Sequence, residues 1–279
     1  APENPVLVRT ASVSGPGHNG VVRSPDGTEW WILYHTQIDR GGGPVRQLAA
    51  DRLLFEQTGP DTAPRLTVRG PTVREQPFPS GAPVRPVFLG TDPFDGARLN
   101  RERWLSVWRE TETGPLVEDG ALVLETRRGD IHASRADSRN IVLQVAPAGD
   151  WSLETDLELD HAETANQAFL IVWQDTNSYV ALKKAYLNGP AFEVGWELDG
   201  VYTAYYAPNE IGKRVRLRID RKGDRYHCSV APPSGAWQPV GAPVRAALID
   251  VKVGVGAQAH GPGPLRKARF RSVSVAPLP

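Results

Sequence analysis

The stretch 213-KRVRLRIDRKG-223 sets Val215, Leu217 and Ile219 on one side of an extended chain and Arg214, Arg216, Arg218 and Asp220 on the other. Successive side chains of a strand point to opposite faces, so this period of two marks a strand with one buried and one wet face. Working outward, strand patterns recur at 103–110, 121–127, 140–146, 151–160, 167–175, 178–186, 191–198, 201–207, 225–231, 250–259 and 267–276. No long segment carries the 3.6-residue apolar stripe of a helix. About a dozen strands in the last two thirds of the chain predict an all-β fold, a two-sheet antiparallel sandwich of jelly-roll type.

Ahead of it the pattern changes. Residues 20-GVVRSPDGTEWWILYH-35 give a hairpin signal, two apolar-aromatic runs around Pro25-Asp26-Gly27, where proline presets the turn and glycine supplies positive φ. Further strands are predicted at 46–55 and 65–70, a spacing that fits one propeller blade or a piece of a sandwich. Then 71-PTVREQPFPSGAPVRP-86 holds five prolines in sixteen residues, which reads as a semi-rigid linker or a strap. The chain thus divides into residues 1–75, a Pro-rich linker at 76–87 and a sandwich over 88–279.

Composition narrows the partners. Lysine plus arginine equals aspartate plus glutamate, 32 each in 279 residues, so charge gives no case for nucleic acid or an anionic membrane. An apolar fraction of 40% supports a real core, and no apolar run reaches membrane-helix length. The one cysteine, Cys228, excludes an internal disulfide and sits in an alternating strand pattern without an electropositive niche. There is no Gly-x-Ser-x-Gly elbow, no His-Glu-x-x-His and no phosphate-binding glycine loop. The chain has no methionine and no signal peptide, and opens on Ala-Pro-Glu, which reads as a processed or cut end.

Two sets of residues carry a resemblance. In the first part they are 15-GPGHN-19, the strand pair around 25-PDG-27 ending in 30-WWILYH-35, then Arg46, 51-DRL-53, Phe55 and 69-RGPT-72. In the second they are 94-FDG-96, 103-RW-104, 119-DGALVLET-126, 139-RNIVLQVAPAGDWSLETDLEL-159 and 167-QAFLIVWQDTNSYVALKKAY-186. The first set resembles the last blade of the five-bladed propeller of glycoside hydrolase family 43, the arabinofuranosidases, xylosidases and arabinanases. The second resembles the concanavalin A-like sandwich that follows that propeller.

The resemblance implies a secreted, inverting exo-glycosidase, foremost an α-L-arabinofuranosidase acting on plant cell-wall polysaccharide or oligosaccharide, with β-xylosidase as the alternative. Its catalytic carboxylates sit in earlier blades, so no acid or base is carried over, and this chain alone is expected to be inactive. The implied partner is an N-terminal propeller portion of the same enzyme. The other alternative, which the sandwich alone supports, is a non-catalytic carbohydrate-binding or scaffolding module.

By the same resemblance His18 points into the central channel, where it binds a water or a metal ion such as calcium, and Arg46 contacts the sugar. No organic cofactor is implied. Residue chemistry alone leaves His18 as a turn histidine and Arg46 as a solvated strand arginine. His35 at a strand end reads as structural, and Trp30 and Trp31 fall on opposite strand faces. Trp173 reads as core. Tyr205 and Tyr206 are the better surface candidates for stacking on a sugar, and Asp92 and Asp95 are too few for a calcium site.

Overall fold

The computed structural model describes residues 4–11, 13–37, 46–60, 62–72, 76–82, 87–133, 135, 137–160, 165–261 and 264–278. Among these the regular structure is all strand, and the chain forms two compact units, Ala1–Arg85 and Pro86–Pro279.

The first unit is a four-stranded antiparallel meander of β1 (Ser14–Arg23), β2 (Trp30–Gln37), β3 (Arg46–Glu56) and β4 (Arg65–Val68), hydrogen-bonded in that order. The Pro-Asp-Gly turn closes β1 onto β2. Gly27 has φ 74°, and Asp26 accepts hydrogen bonds from the Ser24 and Thr28 hydroxyls and the Thr28 amide. Trp30 stands opposite Leu53 and Trp31 opposite Arg52, so the two indoles face opposite ways as predicted. Trp30 takes Phe55 edge-on with Arg23 over its ring, whereas Trp31 is buried beneath Arg52.

Carboxylates lock the chain leaving this sheet, and one of them, Asp51, is buried. Asp51 accepts from Tyr34 Oη, from the Thr72 amide at 3.1 Å and from Thr72 Oγ1 at 2.7 Å. A Cβ on Gly70 would lie 2.0 Å from Asp51 Oδ2, so glycine is required where the backbone crosses that carboxylate. Farther on, the Ser80 amide donates to Glu29 and its hydroxyl to Asp26. The described part of the proline-rich segment is therefore a strap held by carboxylates of the first sheet.

The second unit contains β5 (Gly90–Asp92), β6 (Ser106–Trp108), β7 (Leu116–Glu118), β8 (Ala121–Glu125), β9 (Ile141–Val145), β10 (Trp151–Leu159), β11 (Asn166–Asp175), β12 (Ser178–Tyr186), β13 (Pro190–Leu198), β14 (Val201–Pro208), β15 (Arg214–Lys222), β16 (Arg225–Ala231), β17 (Gln238–Pro239), β18 (Val244–Arg245), β19 (Lys252–Ala259) and β20 (Lys267–Pro277). Nine strands make one sheet, in the order β17-β16-β15-β10-β20-β8-β7, with β18 beside β16 and β5 beside β20. Seven make the other, in the order β14-β13-β12-β11-β19-β9-β6. Between them lies one core, in which Leu153, Leu217 and Phe270 of the first sheet join Leu170, Leu182 and Val255 of the second.

Two local features adjust the pattern expected from sequence. The predicted strand at 103–110 shrinks to β6 because Asn100 caps a turn there, accepting from the amides of Glu102 and Arg103. In β20 the pairing to β10 slips between Asp156 and Leu157. That bulge lets Phe270 and Val273, three residues apart, both face the core.

Candidate functional site

The side chains singled out in the first unit meet at one end of its sheet. Pairing of β1 with β2 runs Gly17 to His35 and then Gly20 to Leu33, so β1 carries one extra residue and bulges. His18 occupies the bulge with φ 50°, in the left-handed region that side chains seldom adopt. Its ring lies over that of His35, centroids 6.2 Å apart and planes at 29°. Across the next pair of strands His35 stands opposite Leu48 and Gln37 opposite Arg46, which puts all four on one face. His18 and Arg46 are exposed and His35 half-buried. The His35 pKa is lowered by burial, and further by the positive charge of Arg46 and by His18, so the neutral imidazole is favoured. The structure thus joins His18 and Arg46 through His35, which strand-end position alone had marked as structural.

This face has donors and cationic groups, and three acids elsewhere in the first unit are engaged in the fold. Asp51 is fully buried under Tyr34 and Thr72. Glu29 accepts from Arg52 Nη1 at 2.6 Å and from the Trp31 indole at 3.1 Å. Four hydroxyl and amide donors hold Asp26 well below the usual carboxylate range, that of Ser80 foremost. A general acid and general base for glycoside hydrolysis must be free to exchange protons. These three carboxylates are bound into the fold. Among the described residues no three His, Cys, Asp or Glu side chains are grouped to hold a metal ion. One imidazole without carboxylate oxygens does not make a calcium site, so the residues present do not by themselves fit that ion.

In the sandwich, Asp92 serves structure. Its Oδ2 accepts from the Trp104 indole at 2.8 Å and its Oδ1 from the Phe94 amide at 2.9 Å, while Asp95 is exposed. This clasp ties 94-FDG-96 to 103-RW-104. Cys228 is buried against the core, and burial pushes its thiol up to about 12, which leaves it inert. Tyr205 and Tyr206 are both exposed; Tyr206 stands opposite Glu193 in the ladder, on the outer face of the seven-stranded sheet, and Tyr205 opposite the core residue Val194.

That outer face holds a polar network which the sequence did not announce. Lys183 Nζ lies 2.8 Å from Glu193 Oε1 and 3.2 Å from Tyr202 Oη, and Tyr202 Oη donates to the same carboxylate oxygen. A Cβ on Gly195 would come within 2.3 Å of that hydroxyl, so the glycine between Glu193 and Glu197 makes room for Tyr202. Asp130 pairs with His260 at 2.9 Å and accepts from Gln258 at 3.0 Å. Trp173 is core, as expected, in a second apolar cluster on this outer side with Ile131, Tyr179 and the partly buried Trp108.

A two-sheet jelly roll preceded by a four-stranded meander is the architecture of a concanavalin A-like domain set behind another all-β domain. Residues 91–271 match the family described as the β-xylosidase C-terminal concanavalin A-like domain, and the chain belongs to that family, part of glycoside hydrolase family 43. Among solved structures it is similar to the family 43 protein BlXynB from Bacillus licheniformis, at 20% identity and TM-score 0.61, covering 100% of this chain and 57% of that one. It is also similar to xylan β-1,4-xylosidase from Bacillus halodurans C-125, at 18% identity and TM-score 0.58, covering 99% and 56%. A third is a family 43 glycoside hydrolase engineered to display both endo-xylanase and exo-arabinofuranosidase activity, at 15% identity and TM-score 0.55, covering 98% and 56%. The chain thus spans a little over half the length of these three structures. No curated protein matches it in sequence.

Proposed function

We propose that this chain is the C-terminal part of a secreted exo-acting glycoside hydrolase that removes pentose units from plant cell-wall oligosaccharides, with β-xylosidase activity the first reading. The sequence alone had put α-L-arabinofuranosidase first. The family description and the xylosidase among the similar structures favour xylose, and the engineered enzyme with arabinofuranosidase activity keeps arabinose as the second reading.

The reading of the first unit rests chiefly on the match to family 43 structures along nearly the whole chain, its four-stranded sheet included. In this view that sheet is the last blade of a propeller, and the other blades belong to the remaining length of the enzyme. The exposed Val21, Val22, Leu48 and Phe55 supply apolar surface for them to cover. Hydrolysis proceeds by inversion: an acid protonates the leaving oxygen while a base activates water on the opposite face, the carboxyls roughly 6.5–9.5 Å apart. Both come from the other blades. This chain adds Arg46, whose planar guanidinium fork can hold sugar hydroxyls or a carboxylate. His18 holds a channel water, or an ion whose oxygen ligands come from water or from those blades.

The test is hydrolysis of p-nitrophenyl β-xyloside and α-arabinofuranoside by the complete gene product, set against this chain alone. The complete enzyme is expected to act on the xyloside and this chain to be silent. In the complete enzyme His18→Ala and Arg46→Ala should each lower kcat/KM by about a hundredfold, comparable to losing one charged transition-state contact, with the near-ultraviolet circular dichroism unchanged. Inactivity of the complete product on both pentosides would overturn the reading, as would undiminished turnover in both variants.

A further inference from the structure

Residues 130–133 cross the outer face of the seven-stranded sheet, and Ile131 is buried there against Phe169, Ile171 and Trp173. Two side chains of the sheet pin this segment. Tyr179 Oη lies 2.9 Å from the Ile131 carbonyl, and the Ala133 amide donates to Glu197 Oε2 at 2.9 Å. Tyr179 Oη is also 3.2 Å from Glu197 Oε2. A tyrosine hydroxyl carries one proton, so it cannot donate to both oxygens. Given to the Ile131 carbonyl, that proton leaves the contact with Glu197 in need of another, which a protonated carboxyl supplies.

A second observation agrees. Glu197 is fully buried, and its Oε1 has no hydrogen-bond partner among the described residues. An ionised carboxylate there would leave charge on an oxygen that nothing solvates, whereas a neutral acid loses far less.

The charges around it offer no counterion. The crossing segment brings Asp130 and His132, β11 brings Asp175, and β13 itself carries Glu193. From β12 come Tyr179 and Lys183, and the Lys183 ammonium is already paired with Glu193 at 2.8 Å. Tyr202 of β14, opposite Glu197 in the ladder, gives its proton to Glu193, and His260 and Gln258 are bonded to Asp130.

We propose that Glu197 is a neutral carboxylic acid whose proton completes the contact with Tyr179 and pins residues 131–133 to the sheet, and that this pin is strongest in acid and loosens as the pH rises to neutrality. Burial is the main cause, with Asp130 and Asp175 adding to it; the bonds from Tyr179 and Ala133 work the other way, and the balance raises the group to about 7. In the opened segment the carboxyl returns to its ordinary value of 4.5. Opening therefore releases a proton between those two values, and the proton's contribution to the hold is full below the lower and lost by the upper.

The experiment uses this chain, as the second unit holds every group involved. Carboxyl ¹³C NMR reads Glu197 directly, and hydrogen exchange of the Ala133 amide, corrected for its intrinsic rate, reads the pin from pH 4.5 to 8.5. A carboxyl midpoint near 7 is expected, with protection falling by up to about tenfold per pH unit below it and levelling above. Glu197→Gln cannot lose a proton, and because both contacts fall on the one Oε2 position its amide keeps only one of them, so its protection should be flat across the range whatever its level. Imidazole is the other side chain whose charge changes in this range, so His260→Gln is the control and should keep the slope. A midpoint in the ordinary carboxylate range would overturn the proposal even if neither variant folds. Flat protection in the parent, a slope that survives Glu197→Gln, or one that vanishes in His260→Gln would do the same.

Discussion

The outer faces of the two sandwich sheets lie on the same kind of pleat and treat their charges in opposite ways. On the nine-stranded sheet Glu154 meets Arg218, Asp156 meets Arg214 and Glu158 meets Arg271, each at 2.6 Å and each within reach of water. One of these arginines borders aromatic surface as well, since Arg218 and its neighbour Arg216 lie over Trp237. On the seven-stranded sheet Lys183 meets Glu193 at 2.8 Å with 2% and 4% of their side chains exposed. The first arrangement is a mosaic that keeps a sheet soluble; the second is a network committed to one geometry, with Tyr202, Asp130 and Glu197 built around it. A charge count cannot tell them apart. Burial does, because desolvation turns an ion pair of little value into one that cannot lose a member.

The sharpest way to break the comparison is to remove one partner of the buried pair. Lys183→Ala strands the Glu193 carboxylate and should cost about 3–5 kcal/mol in denaturant unfolding. Replacing both, as Lys183→Met with Glu193→Leu, should recover most of that loss, because an apolar pair needs no counterion. If the single variant unfolds like the parent, this face is wetter than its burial implies and the contrast fails.

Acid probes the same network more gently. Burial works against ionisation of Asp130, but the bond and charge of His260, the charge of Lys183 and the His132 amide outweigh it and hold the group at about 2, against 3.8 ordinarily. A carboxylate depressed on folding contributes stability that is present above its unfolded pKa and lost as pH falls through the folded one. Melting curves should therefore lose about 2 kcal/mol between pH 4 and 2 from this residue, and Asp130→Asn should lack that limb. An unchanged acid limb in the variant would place the titration elsewhere.

How far the sequence foretold these features depended on water. The alternation in 213–223 was legible because β15 has a wet outer face, and its strand and inward residues fall where the pattern put them. In 169-FLIVWQD-175 and 178-SYVALKKAY-186 both faces are buried, so the strands were legible but not which side was core. Trp173 is core as expected, but in the cluster on the outer side. Strands of two or three residues such as β5, β7, β17 and β18 are too short to show a period. The Lys183–Glu193 pair spans a hairpin whose turn residues Asn188 and Gly189 have positive φ, and fixing that turn would have set the register. Asp130 and His260 are brought together by pairing across the sheet, with no local pattern linking them. In the first unit the sequence offered His18 and Arg46 through resemblance, while the link through His35 needed the register of three strands.

The smallest expected effect is the most informative about the wet face. Arg214 grips Asp156 through two bonds, Nε to Oδ1 at 2.8 Å and Nη2 to Oδ2 at 2.6 Å, the geometry in which an exposed pair is worth most. Both residues remain partly in water, so the Coulomb gain is screened and the ordering of two side chains offsets it. Arg214→Ala should therefore cost less than about 1 kcal/mol, and most of that should vanish in 1 M salt, where the screening length falls to about 3 Å. A loss that is larger and indifferent to salt would mean that this pair behaves like Lys183–Glu193, and that exposure is not what separates the two faces.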